Sequence, residues 1–210
     1  MTLHDSAGHT VSGATPEALV ALETALHELR CFIADPVASA QRAIDAAPGT
    51  TLAHLLHAYL HLLGTEPAGR AIARDSYRAA LALPATARER GHLEAVGHLL
   101  AGRWHAAGRS LEDLSIEHPL DALALQAGHQ IDFFTGNSRM LHDRIARALP
   151  AWSADVPGYH AVLGMQAFGL EETGRYARAE SLGRRSVEIE PRDGWGRHAV
   201  AHVMEMQGRR

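Results

Sequence analysis

The sequence predicts an all-α protein of about eleven helices, arranged as repeated helix–turn–helix pairs. Three observations carry this. Apolar residues recur at helical spacing, as in Leu52, Leu55, Leu56, Tyr59, Leu60 and Leu63. No stretch alternates apolar and polar residues with period two for long enough to predict a strand. Helix-ending prolines recur at Pro48, Pro84, Pro119 and Pro191, with spacings of 36, 35 and 72, the last being twice the first.

The elements follow in order from their punctuation. Thr15-Pro16-Glu17 and Asp35-Pro36 each place a capping residue before a proline at the first helical position. They start the two helices of a first pair, over about 17–50. Further pairs cover about 53–86, 88–121, 122–159 and 160–193. The second and fourth are irregular, because Gly64-Thr65-Glu66-Pro67-Ala68-Gly69 lengthens one turn and Ala151 to Gly158 another. The third and fifth share a signature: Gly102-Arg103-Trp104, Ala107 and Pro119 match Gly174-Arg175-Tyr176, Ala179 and Pro191 at the same offsets. The Gly ends the first helix in a left-handed conformation and the aromatic residue packs under the turn. The Ala allows close helix approach, and the Pro stops the second helix. A sixth pair opens at Gly194, and its first helix reaches a turn glycine at Gly208. Residues 1–15 are read as an N-terminal extension, and 16–210 as one helical-repeat domain of about five and a half pairs.

This pattern resembles the tetratricopeptide repeat, which implies a right-handed α-solenoid of stacked antiparallel helix pairs. A narrower resemblance lies near the end of the chain. Gly158-Tyr159-His160, Gly169-Leu170-Glu171-Glu172-Thr173-Gly174, Asp193-Gly194-Trp195 and His198-Ala199-Val200-Ala201-His202-Val203-Met204-Glu205-Met206-Gln207-Gly208-Arg209 are similar to the tetratricopeptide repeat protein 38 family. Its members are about twice this length, so the resemblance implies that this chain is an N-terminal half. It implies no catalytic activity.

Composition narrows the function. The chain has 210 residues, is 46% apolar and 21% charged, and carries a formal net charge of −4, which offers no electrostatic footprint for nucleic acid. Nothing at the N-terminus has the form of a signal peptide, and no apolar run suits a membrane span. The expected location is therefore the cytoplasm. Cys31 is the one cysteine, so no internal disulfide forms, and a lone thiol at a helix end reads as buried rather than nucleophilic. All 20 basic residues are Arg, a pattern of codon usage more than of chemistry. The 15 His are far in excess, and protonating them all would add as many positive charges as pH falls through the imidazole range.

The histidines point to a surface. In tetratricopeptide-like pairs, positions 2, 5, 9 and 12 of the first helix line a concave groove, on one stripe of the helix. Here those positions are His54, His57, His61 and Gly64; Glu89, His92, Val96 and Leu99; Leu123, Gln126, Gln130 and Phe133; Ala161, Gly164, Phe168 and Glu171; and Trp195, His198, His202 and Glu205. The groove-binding residues expected are His54, His57, His61, His92, Gln126, Gln130, Trp195, His198, His202 and Glu205. His198, His202 and Glu205, at i, i+4 and i+7, form the sharpest metal-ligand spacing. The zincin motif is absent, because Ala199 stands where its Glu would be.

Other polar residues read more plainly. His129 fills a small-residue position, Asp132 pairs locally and His160 packs. Arg184-Arg185, Arg209-Arg210 and Arg88/Arg90 read as solvated faces. No Walker loop, GxGxxG, GxSxG or CxxC is present, so no cofactor is expected.

The expected function is a non-catalytic scaffold that binds a peptide or protein in a His- and Gln-lined groove, tighter near pH 6 than pH 8 for a carboxylate-bearing peptide. The alternative is a metal-binding or hydrolytic enzyme whose His-rich cavity is completed by a further half, with metal lost on His198→Ala or His202→Ala. A third reading is self-association through the open final helix.

Overall fold

Short-range signals place the helices. The computed structural model describes residues 2–209. Among them are eleven α-helices: α1 (Pro16–Cys31), α2 (Pro36–Ala46), α3 (Thr51–Leu63), α4 (Gly69–Leu81), α5 (Ala87–Leu100), α6 (Trp104–Glu117), α7 (Ala122–Phe134), α8 (Ser138–Ala148), α9 (Tyr159–Glu171), α10 (Tyr176–Ile189) and α11 (Gly194–Met206). Asp35, Thr86, Asp121 and Asp193 accept backbone N–H bonds at the N-termini of α2, α5, α7 and α11. Thr86 and Glu89 form a reciprocal capping box.

The turn signature holds as read. Gly102, Gly136, Gly174 and Gly208 all sit at φ between 64° and 75°, which a side chain would disfavour. After each, the next amide reaches back to a carbonyl five residues earlier, as in Arg103 N to His98 O and Arg175 N to Leu170 O. Ala107 and Ala179 are fully buried. In the lengthened turn after α3 the left-handed residue is Thr65 (φ 59°) rather than Gly64 (φ −68°). The other irregular connection contains a 3₁₀ turn, Leu149–Ala151, and the left-handed Gly158. There Trp152 Nε1 donates to Pro119 O at 2.7 Å.

The chain divides into two compact units. One takes the residues before Leu29 together with Ala34–Leu114; the other takes Leu29–Ile33 and the residues from Ser115 onward. In the first, α3 packs on α2, α4 and α5; in the second, α9 packs on α7, α8, α10 and α11. First helices thus touch first helices of the next pair, the packing of an all-α helical repeat. These first helices are the covered ones. Every residue from His160 to Glu171 of α9 is buried, as are Thr51–Tyr59 of α3. The second helices bury only a narrow stripe, for example Ala179, Gly183 and Ser186 of α10.

The N-terminal segment departs from the expectation of a strand-free extension. Leu3–His4 (β1) and Thr10–Val11 (β2) pair antiparallel, with Leu3 opposite Val11. Two-residue strands are too short to show alternation. Their signal is the turn, where Asp5 Oδ1 accepts from Ala7 N and His9 N. Asp5 also pairs with Arg88 at 3.4 Å, and both side chains are buried, so Arg88 does not belong to a solvated face. Ser12 donates twice to Glu89, at 3.0 and 2.6 Å.

A buried ion pair joins α7 to α8. Arg144 Nε and Nη2 donate to the two carboxylate oxygens of Asp132 at 2.8 and 3.2 Å, with side chains 1% and 5% exposed. A Cβ on residue 128 would lie 2.7 Å from the Arg144 guanidinium carbon, so Gly128 makes the room. Asp132→Ala strands the guanidinium, and a loss of about 3–5 kcal/mol is expected. Asp132→Leu with Arg144→Met should recover most of it. Urea unfolding followed by far-UV circular dichroism reads both.

Candidate functional site

In the first unit the predicted groove histidines are largely spent on the interior. His54, on α3, is 8% exposed and its Nε2 donates to Pro48 O at 2.9 Å. His57, 6% exposed, bonds Ser76 Oγ of α4 through Nδ1 at 2.8 Å, and its ring lies 4.6 Å from that of His61. His92, on α5, is fully buried, and its Nδ1 lies 3.2 Å from the Tyr59 hydroxyl. Glu89, at position 2 of the same helix, is held by Thr86 and Ser12. Only His61 of this set is half-buried. The reason is architectural: a first helix packed on three sides leaves no open stripe for a ligand.

In the second unit the expected groove is already partly filled by the chain itself. Gln126, on α7 and 2% exposed, donates through Nε2 to Leu29 O at 3.0 Å. The Phe32 ring stands edge-on to Trp195 at 4.8 Å, with Phe32 in the left-handed region at φ 55°. Arg30 lies over Gly158, where an added Cβ would meet its guanidinium at 2.7 Å. Leu29–Ile33 therefore occupies the stripe on which Gln126 and Trp195 were expected to meet a partner. Gln130, further along α7, remains half-buried.

Beyond that segment, three first helices bring rings together. Phe133 of α7 lies 5.8 Å from Phe168 of α9. Phe168 lies 5.6, 5.5 and 5.7 Å from Trp195, His198 and His202 of α11. His198 and His202 are 4.3 Å apart, centre to centre. Phe133 and Phe134 are 48% and 46% exposed. This brings Phe133, Phe168, Trp195, His198 and His202, at positions 12, 9, 2, 5 and 9 of three successive first helices, onto one patch.

The metal-ligand spacing read along α11 does not close on Glu205. Among the described residues, the carboxylates whose ligand atoms gather with His202 are Glu171 and Glu172, at the end of α9, all within 4.8 Å of one another. His202 Nδ1 lies 3.7 Å from Glu171 Oε2. Glu205 lies on the same helix and is exposed. The sequence concealed this set because 31 residues separate Glu171 from His202; the signal was their assignment to positions 12 and 9 of neighbouring first helices.

A second polar centre escaped sequence reasoning altogether. His160 Nδ1 lies 2.7 Å from Asp193 Oδ2, with side chains 8% and 0% exposed. Ser186 Oγ donates to the same oxygen at 2.6 Å, and Gly196 N to the other at 2.9 Å. Burial alone would raise the Asp193 carboxyl, but these hydrogen bonds outweigh it and hold it below the usual carboxylate range. A ring nitrogen of His160 and the Cys31 sulfur lie within 4.8 Å. The cysteine–histidine–aspartate grouping does not activate the thiol. Burial, with the charges of Asp193 and Glu190, pushes Cys31 up to about 11, so it is a protonated thiol at neutral pH.

Other residues resolve more simply. His129 is fully buried and donates through Nε2 to Met165 O. Arg184 and Arg185 pair with Glu180 and Glu188, Arg209 reaches Glu180, and Arg210 lies outside the described residues. No protein-family model matches the chain.

The histidine excess does not titrate as one population. Burial, with nearby His61 and His54, lowers His57 to about 4; burial, with Arg144, lowers His129 to about 3. Burial also lowers His61, and lowers His198 with help from His202. A lowered pKa means that the unfolded chain binds the proton first. The stability these groups contribute is complete above the unfolded value near 6.5 and is lost as pH falls toward the folded value. His57 and His129 each add up to about 1.4 kcal/mol per pH unit across their windows. Stability should therefore fall between pH 6.5 and 4, and more shallowly in His57→Gln. Thermal melts across that range check this; parallel curves for the two proteins would refute it.

Proposed function

We propose that the protein is a non-catalytic helical-repeat interaction module of the tetratricopeptide type, related to the tetratricopeptide repeat protein 38 family. It binds a peptide segment of a protein partner on the aromatic and imidazole patch of its second unit. The observation that carries this reading is the convergence of Phe133, Phe168, His198 and His202 from three first helices, with Phe133 and Phe134 about half exposed. Aromatic rings on rigid helices offer large contact area at small entropic cost, which is the chemistry of an interaction hot spot. Gln130 and the imidazoles beside them supply hydrogen bonds and, when protonated, attraction for a carboxylate.

The buried first-helix histidines act in this reading as internal ties that hold neighbouring pairs in register. The reading places the protein in the cytoplasm, in keeping with the absence among the described residues of any helix long and apolar enough to cross a membrane. The protonated, buried Cys31 favours binding over nucleophilic catalysis.

A random peptide library displayed on phage and selected on the whole chain tests it. Synthetic copies of the selected peptides should bind the wild type and lose about 2 kcal/mol, some thirtyfold, on Phe133→Ala. His198→Ala should weaken acidic peptides more than neutral ones. Because His198 is lowered, the gain in acidic-peptide affinity should continue below pH 6 rather than level off there. Peptides that bind both variants as well as the wild type would overturn the proposal.

A further inference from the structure

Glu171 ends α9 with its carboxylate in an unusual position. The residue is 5% exposed, and its Oε2 atom is buried without a hydrogen-bond partner. The His202 ring stands beside it, with Nδ1 3.7 Å away. That is too long for a hydrogen bond between them. It suits two atoms that share an ion: a tetrahedral Zn²⁺ with bonds of about 2.0–2.2 Å sets its ligand atoms about 3.3–3.6 Å apart. Glu172, the next residue, brings a third ligand atom within 4.8 Å of both.

The surroundings favour a cation. The three groups lie at the C-terminal end of α9, where the helix carries partial negative charge. Two carboxylates side by side repel each other until a positive charge stands between them. His198 sits one turn before His202 with its ring 4.3 Å away, and Phe168 packs against both rings. These contacts hold the His202 ring toward α9. Glu172 and part of His202 face solvent, so an ion has a path in and room for water to complete its shell.

We propose that Glu171, Glu172 and His202 form a site for a first-row divalent cation of the Zn²⁺ class. One imidazole and two carboxylates are a mixed nitrogen and oxygen set, which suits Zn²⁺, Fe²⁺ or Mn²⁺ better than Ca²⁺ or a thiolate-seeking ion. The site bridges two successive first helices at the edge of the aromatic patch and shares His202 with it; Zn²⁺ binding is read with no peptide present, so it does not depend on what the patch binds.

The test uses the untagged chain of 210 residues and Zn²⁺ alone. Isothermal titration should show one tight site per chain, and its occupancy should raise the melting temperature. Glu172→Gln changes an exposed side chain and His202→Ala a partly exposed one, and the far-UV circular dichroism of each should match the wild type. Each should weaken Zn²⁺ by more than the roughly 10–100-fold that loss of an outer-shell contact costs, and should abolish the thermal shift. Glu171→Gln should do the same. Glu205→Gln should bind Zn²⁺ as the wild type does. With many other histidines in the chain, bound Zn²⁺ unchanged by His202→Ala and Glu172→Gln would overturn the proposal. So would the absence of a stoichiometric site in the wild type, or loss of binding on Glu205→Gln alone.

Discussion

The second unit depends on one carboxylate. Asp193 caps α11 through the Gly196 amide, holds His160 at the start of α9 and accepts from Ser186 near the end of α10. A buried charge is tolerable only when its lone pairs are satisfied, and here three helices satisfy it together. The consequence is positional. The first turn of α11 is locked against α9 and α10, so Trp195, His198 and His202 leave that helix at a fixed angle toward Phe168 and Glu171. The small residues around this lock follow from it: a Cβ at Gly196 would meet Ser186 Oγ at 2.6 Å, and one at Gly194 would meet Cys31 O at 2.7 Å.

The same economy explains how histidine is used. An imidazole is the smallest side chain that offers both a ring to pack and a donor to place. In the first unit His54 and His57 spend that capacity on Pro48 O and Ser76 Oγ, and in the second His129 spends it on Met165 O. These are buried and structural. His198 and His202 differ, because His198 is exposed and His202 half-exposed on α11. Among the histidines are therefore two different uses: ties between helices in the interior, and an accessible pair on α11.

Local physics made much of the fold legible in the sequence. Asp35-Pro36 and the glycines at 102, 174 and 208 act through bonds within a few residues, so their positions predict helix ends whatever the tertiary context. The repeat spacing of the prolines predicted the pairs for a related reason, since each pair is a short unit with its own stop. The N-terminal hairpin was missed because two-residue strands carry no periodicity and are held by Arg88 and Glu89, more than 75 residues away.

By itself the sequence determined the helix boundaries, the repeat and the stripe of each first helix, because capping, periodicity and turn geometry are short-range. Tertiary structure alone decided which residues of that stripe are buried and which meet. It placed Leu29–Ile33 against Gln126 and Trp195, turned Glu171 rather than Glu205 toward His202, and gathered Cys31, His160 and Asp193. Those outcomes depend on desolvation and on pairings across tens to hundreds of residues. Desolvation is a property of everything packed around a group, and no spacing along the chain encodes it.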